Sequence, residues 1–383
     1  MPKDKKLPFH TLNEFDLELS GGVKKCTTIE PVFKNNYAAI ALVSSDEYAP
    51  FASVVIASII ANSSKKHNYD IVVLTDDMLQ RNRWRIQQQG DEFDNISIRV
   101  LDISQIIEGL SFFTWAHFTS NTYYRLLTPD VFKKYDKVIY LDSDIIVNHD
   151  IYELYTFELG GNYLGATYDT HVVSYCTRKP PLEQREYNIK KLGMDSPEQY
   201  FQAGVSVFNI KEINHDFEEG YLIKEGLQHK LRWLDQDLLN KLFYGKIAYV
   251  PNKWNVMVSN LPDNLDEYYL PKNLRTGYYN ARLDPYIVHY VGRTMPCYTT
   301  TPDLYEYFWK YARQTVFYEI LLQRMAIDYA EKLAESVRIQ RRRHSLRYRL
   351  KQCIKHLIDF VLPHNSKRRI YVKRFVFKFK KWE

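Results

Sequence analysis

Asp142 and Asp144 stand at the carboxyl end of the apolar run VIYL, with only Ser143 between them. On an extended strand, side chains two residues apart leave by the same face, so both carboxylates address one site. Carboxylates held that close repel, and each raises the pKa of the other unless a cation is shared between them. A hard divalent ion bridging the pair to the phosphates of a substrate relieves the repulsion. The same three residues also suit a surface turn, since Asp and Ser are ordinary turn formers.

Such a pair needs a frame, and the chain supplies one. AAIALVSS (38–45), YDIVVLTDD (69–77), ISIRVLDIS (96–104) and KVIYLDSD (137–144) read as buried strands. Between them lie the helical stretches PFASVVIASIIANSS, MLQRNRWRIQQQ and TYYRLLTPDVFKKY. Apolar strands alternating with helices predict an α/β fold with a mostly parallel sheet covered on both faces. Ligands in such sheets sit at the carboxyl ends of the strands. Beyond Asp150, LGATYD (164–169) and FQAGVSVFNI (201–210) read as strands. The polar stretch between them, with Pro180, Pro181 and Pro197, reads as a long loop of the lid kind. LDQDLLNKLFYG predicts a short helix ending at Gly245, followed by the strand KIAYVP, a Pro/Asn-rich excursion to Pro285 and a last strand, YIVHYVG (286–292). From Thr301 to about Gln340 the pattern is amphipathic helix.

Seven blocks in order, ALVSSDEYAPFASVVIASI, TYYRL, VIYLDSDIIV, LGATYD, FQAGVSVFNI, LDQDLLN and IVHYVG, resemble family 8 of the retaining glycosyltransferases. That family includes bacterial lipooligosaccharide galactosyltransferases and glycogenin, and the likeness runs from about Ala38 to Met295. It implies a GT-A-type nucleotide-sugar-binding fold for a catalytic domain at 36–300; by periodicity and charge, 1–35 read as an irregular lead-in, 301–337 as a helical region and 338–383 as a basic amphipathic tail. It implies transfer of galactose or glucose from a UDP-sugar to the hydroxyl of a glycan or lipid-linked oligosaccharide, with anomeric configuration retained, in the making of bacterial surface polysaccharide or lipooligosaccharide. Asp142, Asp144 and His289 would bind the metal. Two carboxylates and an imidazole suit Mn²⁺ better than Mg²⁺, the alternative ion.

The resemblance also assigns the donor site. Val43 and Ser45 would lie along the uridine edge, Tyr48 would stack on the base, and Ser143 would join them. Arg125 would sit over the phosphates and sugar, and Gln202, Ala203 and Gly204 would face the donor sugar. Asp235 would bond sugar hydroxyls, Gln236 would lie beneath the anomeric carbon, and Asp237 would support both. A glutamine has no ionisable oxygen to activate as a nucleophile, which favours front-face substitution over a covalent intermediate. Four positions depart from the family pattern, Cys297 among them, standing where tryptophan is common. Ser45 stands where Asp is frequent, and Gln202 replaces Asn. HYVGRTMPC places Met295 where a lysine usually meets the diphosphate, leaving Gly292 and Arg293 for that role. Two other classes fit parts of the chain: a nucleotide-sugar-binding protein of this fold that has lost turnover, and a metal-dependent phosphatase. The latter expects its nucleophilic Asp on an early strand, and Asp142 lies deep in the chain.

Composition sets the surroundings. With 45% hydrophobic and 26% charged residues the chain is of ordinary globular make-up. Cys26, Cys176, Cys297 and Cys353 are too scattered for a disulfide framework or a metal cluster. The N-terminal MPKDKKLPFHTLNEF has no signal-peptide core, and no apolar run is long enough to span a bilayer. The expected location is cytoplasmic, peripherally on the inner face of the membrane. The charge is uneven: from Arg338 to Glu383 there are 16 Lys and Arg against Asp359 and Glu383, while 1–337 carry 36 basic and 44 acidic residues. A basic, aromatic, amphipathic tail of this kind predicts attachment to an anionic membrane surface; the same composition suits nucleic-acid binding or a disordered tail, but no nucleic-acid fold motif accompanies it and no nucleic acid is expected as partner.

Overall fold

A computed structural model of the chain describes residues 28–115, 119–179, 183–258, 269–292, 294–298 and 303–344, with isolated positions from 350 to 369. One compact unit ends at Leu322, and a second takes in Gln323–Glu383. Arg293, Pro180, Pro181 and most of the basic tail lie outside the described residues.

In chain order the strands are β1 (Tyr37–Val43), β2 (Asn68–Thr75), β3 (Ile96–Asp102), β4 (Lys137–Leu141), β5 (Ile145–Val147), β6 (Leu164–Tyr168), β7 (Phe201–Asn209), β8 (Ile247–Tyr249), β9 (Val256–Met257) and β10 (Ile287–His289). Seven form the central sheet in the order β3-β2-β1-β4-β7-β6-β8, and β5-β10-β9 form a smaller one. The central sheet is mostly parallel, as its sequence predicts; β7 alone runs against its neighbours β4 and β6. Alternate residues of β1 enter different cores, Ala39 and Ala41 on one face and Ala38, Ile40 and Leu42 on the other. Burial on both faces is why β1 reads as an unbroken apolar run.

The helix Ala49–Asn62 is apolar nearly all round because it too has two partners. Ala52, Val55, Ile56 and Ile59 pack on the central sheet, while Phe51 and Val54 meet a separate core with Val288, Tyr290, Phe308 and Tyr311. Asn62 ties these layers, its amide donating to the carbonyl of Val147 and to the Tyr311 hydroxyl.

Several elements depart from the sequence reading. The fourth strand stops at Leu141, and the chain resumes at Ile145 in the other sheet, so Asp142 and Asp144 lie in the turn between sheets. TYYRL sits on a 3-10 helix, Ser120–Leu127, followed by a single α-turn, Thr128–Val131, with proline in its first turn. The polar stretch before β7 contains the helices Thr170–Thr177 and Glu183–Lys190 where a long loop was expected. Asp169 caps the first, its carboxylate accepting from the Val172 amide. The excursion to Pro285 includes β9 and the helix Lys272–Leu283, and the amphipathic C-terminal region breaks into Tyr305–Ala312 and Tyr318–His344.

Candidate active site

The reversal of β7 carries its first residues to the carboxyl end of β4. The Asp142 amide donates to the Gly204 carbonyl at 2.8 Å. β10 lies antiparallel to β5 with His289 opposite Ile145, one residue beyond Asp144, and the Tyr290 amide donates to the Asp144 carbonyl at 2.8 Å. The turn therefore hangs between strands of both sheets. Ser143 fixes it to a third, its hydroxyl donating to the Val43 carbonyl at 2.7 Å.

This arrangement gathers Asp142, Asp144 and His289, and donor atoms from the three lie within 4.8 Å of one another. The carboxylates converge through the turn, not through the strand alternation inferred from sequence. Nε2 of His289 is 3.1 Å from Asp144 Oδ1 and 3.8 Å from Asp142 Oδ2. The first contact lacks hydrogen-bond alignment, and Asp144 Oδ1 is buried with no hydrogen-bond partner. Gly204 keeps the space open, since a Cβ there would stand 2.4 Å from Asp142 Oδ2 and 2.5 Å from His289 Cε1. An orphaned carboxylate oxygen, an imidazole nitrogen and a cradle that one methyl would fill together fit a divalent cation. Burial opposes charge on His289, but Asp144 and then Asp142 outweigh it and raise its pKa above the ordinary imidazole value.

Arg125 lies between two carboxylates, with Nη2 2.8 Å from Asp142 and Nε 2.6 Å from Asp235. Its guanidinium rests over the Tyr140 ring, 4.7 Å from the centroid. Burial disfavours its charge, and Asp142 and Asp235 more than restore it. Asp235, fully buried, is pushed up to about 7 by desolvation, with Arg125 pulling the other way.

Gln236 accepts from the Ala203 amide at 3.0 Å and donates to Asp169 at 3.1 Å and to the Tyr200 hydroxyl at 3.3 Å. Asp237 takes hydrogen bonds from the Tyr187 and Tyr200 hydroxyls and the Trp233 amide. Gln202 turns its carbonyl oxygen to the Gly204 amide and to Asn255, both at 2.7 Å. At the end of β1, Ser45 accepts from the Tyr48 amide, and Tyr48 is 42% exposed, its ring edge-on to Phe51. Gly292 follows β10 in the left-handed region, φ 73°. Met295 is buried in the apolar core with Phe51 and Cys297.

Asp169, Tyr187, Tyr200 and Asn255 were not singled out from sequence. Asp169 ends the strand block LGATYD and was legible as a helix cap. The others carry no spacing signal, because they reach the site only through the packing of separate elements.

Residues 39–296 match the sequence model of the family described as Glycosyl transferase family 8. A putative glycosyltransferase of Haemophilus influenzae is 27% identical over 55% of this chain and 61% of its own. A lipopolysaccharide 1,2-glucosyltransferase of Escherichia coli is 25% identical over 66% of this chain and 70% of its own. Among solved structures, the bifunctional glycosyltransferase WbbM superposes with TM-score 0.70 at 31% identity, over 78% of this chain and 53% of that one. The galactosyltransferase LgtC, solved with donor and acceptor sugar analogues, gives TM-score 0.58 at 25% identity, over 73% and 96%. The chain thus spans 61% of the length of the Haemophilus relative and 53% of the WbbM chain.

Proposed function

This chain belongs to glycosyltransferase family 8, and from that premise we propose that it transfers a hexose, galactose or glucose, from a UDP-sugar to a glycan hydroxyl with retention of configuration. The observation that carries the reading is the convergence of Asp142, Asp144 and His289 beside Arg125, at the carboxyl end of β4. Family membership sets aside the phosphatase alternative.

In this reading Asp142, Asp144 and His289 hold Mn²⁺, with Mg²⁺ the alternative. When bound, the ion acts as a Lewis acid that neutralises charge on the departing diphosphate. The protein's own groups do the rest. The ring of the exposed Tyr48 takes the uracil face, with Val43 and Ser45 along its edge and Ser143 holding the turn against β1. Arg125 keeps Asp142 and Asp235 in place while presenting positive charge to the donor. Gln236, tethered at both ends of its amide, offers a fixed surface beneath the sugar and no nucleophilic oxygen. That favours departure of UDP and arrival of the acceptor hydroxyl on one face. Met295 is buried and uncharged, so the phosphate contact falls to Gly292 and Arg293. The acceptor is a glycan of bacterial surface polysaccharide or lipooligosaccharide, carried on lipid. The basic tail holds the enzyme to the anionic inner face of the membrane, and nucleic acid has no part.

The test is UDP release from a panel of nucleotide sugars, with and without Mn²⁺, for the wild type and Asp144→Ala. The expected result is slow Mn²⁺-dependent release from one UDP-hexose, lost in the variant. Titration of UDP in the presence of Mn²⁺ accompanies it. Absence of both release and UDP binding sinks the donor site.

A further inference from the structure

We propose that Gln202 and Asn255 are positioning residues that hold His289 as its Nδ1–H tautomer, so that the Nε2 lone pair faces the space between Asp142 and Asp144. The inference rests on reading those three side chains as a cation site.

It begins with a group whose chemistry leaves no choice. The backbone amide of Gly204 can only donate, so the Gln202 atom 2.7 Å from it is the carbonyl oxygen. The Asn255 atom 2.7 Å from that oxygen must then be a donor, which is Nδ2. Its other end, Oδ1, faces His289 Nδ1 at 3.0 Å. An acceptor opposite Nδ1 draws the hydrogen there; Asp144 Oδ1 stands 3.1 Å from Nε2 as the competing acceptor but lacks hydrogen-bond alignment, so Nδ1 carries it. A neutral imidazole has a single N–H, so Nε2 keeps its lone pair.

The relay is difficult to reverse. Gln202, Asn255 and His289 are 7%, 3% and 2% exposed, which leaves little solvent to replace a lost bond. Turning the Asn255 amide over would oppose its oxygen to the Gln202 oxygen, and that clash stands whatever the tautomer of His289. Buried polar groups left in that state are costly. The relay also joins the elements that form the site: the start of β7, the residue before β9, and β10. Gly204, where it starts, is the same residue that leaves room for the ion. Partners of this kind on the far nitrogen of a metal-bound histidine fix the ring and its tautomer. Gln202 thus has a task that does not involve the donor sugar.

The test uses the full chain with ¹⁵N-labelled histidine, free of metal, with pH raised until the His289 signals stop moving, since Asp144 and Asp142 raise its pKa and only the neutral ring has a tautomer. The His289 signal is assigned by its loss in His289→Gln. Mn²⁺ affinity is read separately from the electron paramagnetic resonance of the free ion, in wild type, Asn255→Leu, Gln202→Leu and the control Asp144→Ala. The wild type should show Nδ1–H. Gln202→Leu touches neither His289 nor the ion, yet it frees the Asn255 amide to turn, and the signal should move toward Nε2–H. Both leucine variants should bind Mn²⁺ about 10- to 100-fold more weakly. Should Asn255→Leu fail to fold, Gln202→Leu decides. A wild-type Nε2–H signal overturns the proposal, as do leucine variants with unchanged tautomer, whatever their Mn²⁺ affinity. Wild-type protein that ignores Mn²⁺, or binds it equally after Asp144→Ala, sinks the cation site itself. In that event the tautomer spectrum still decides the relay, so the two failures are told apart.

Discussion

Gly204 and Asp142 meet twice: the Asp142 amide donates to the Gly204 carbonyl at 2.8 Å, and a Cβ on Gly204 would stand 2.4 Å from Asp142 Oδ2. The first contact fixes the turn to β7. The second means that even alanine pushes a carboxylate aside. The displaced atoms are the tip of the Asp142 side chain and Cε1 of the His289 ring, met at 2.5 Å, so the change falls first on the cation site and less on the fold. Gly204→Ala is expected to keep its thermal midpoint within a few degrees and to lose at least about tenfold in Mn²⁺ affinity. Melting by circular dichroism and a Mn²⁺ titration check it. Unchanged affinity would mean the cation sits elsewhere.

Arg125 stabilises by compensation. Removing it leaves Asp142 and the buried Asp235 without their shared cation, and breaking a buried pair in this way costs ~3–5 kcal/mol. Arg125→Ala should therefore lower stability in urea by about that amount. Adding Asp235→Asn removes the stranded charge and should recover part of the loss, giving a double mutant better than the sum of its singles. Strict additivity would show that the two side chains do not interact.

How much of this was open to a reader of the sequence depends on where each contact originates. The parallel sheet was legible because β1 and β2 are apolar on both faces, and that burial writes itself into composition. Asp142 and Asp144 were legible as a pair because the chain itself keeps them two apart. Their convergence has a different cause, since β4 stops at Leu141 and the turn passes between sheets. Asn255 was invisible. It meets His289 only because β9 pairs with β10, with Met257 opposite His289, and two strands that short leave no periodic trace. The lid expected between β6 and β7 proved helical because Asp169 and the polar run after it cap and form helices whose apolar faces are too short to announce themselves.

Tyr48, beside the end of β1, is 42% exposed. Stacking of a base on an aromatic side chain is worth ~1–3 kcal/mol. Tyr48→Ala should thus weaken UDP binding about 5- to 150-fold, and Tyr48→Phe should hold it near wild type, because the proposed contact is made by the ring face and not the hydroxyl. Calorimetric titration with UDP and Mn²⁺ separates the two. Equal binding by wild type and the alanine variant would remove the base from this position.

Asp130 is a buried carboxyl outside the candidate cation site. Its surroundings are the Gly220 amide, which donates to it at 3.1 Å, and the nearby Glu219 and Lys133, themselves paired at 2.9 Å. Burial pushes its pKa up to about 6, against the favourable Gly220 bond. The folded state then binds this proton more tightly than the unfolded state, whose Asp titrates near 3.9. Stability from this group is therefore full below about pH 4 and is lost as pH rises through about 6. Asp130→Asn keeps an acceptor for Gly220 and has no proton to lose. It should match wild type near pH 4 and exceed it by ~1–3 kcal/mol at pH 8. Denaturant titrations at both pH values check the sign.

The proposed membrane attachment has a physical argument in the C-terminal unit beyond its charge. On the helix Tyr318–His344, Met325, Tyr329, Leu333 and Val337 are exposed and recur every four residues, which places them along one face. No helix among the described residues is long and apolar enough to cross a membrane. An exposed apolar face followed by a strongly basic run suits lying on an anionic surface. The 16 Lys and Arg from Arg338 onward add ~1 kcal/mol each where they reach an anionic headgroup layer. Ending the chain after Arg338 leaves the apolar face and removes nearly all of that charge. The shortened protein should stop sedimenting with phosphatidylglycerol vesicles while releasing UDP at the wild-type rate. The full chain should itself let go as salt rises and screens the charge. Vesicle binding that survives truncation would assign attachment to the apolar face alone, and binding that survives salt would remove the electrostatic part.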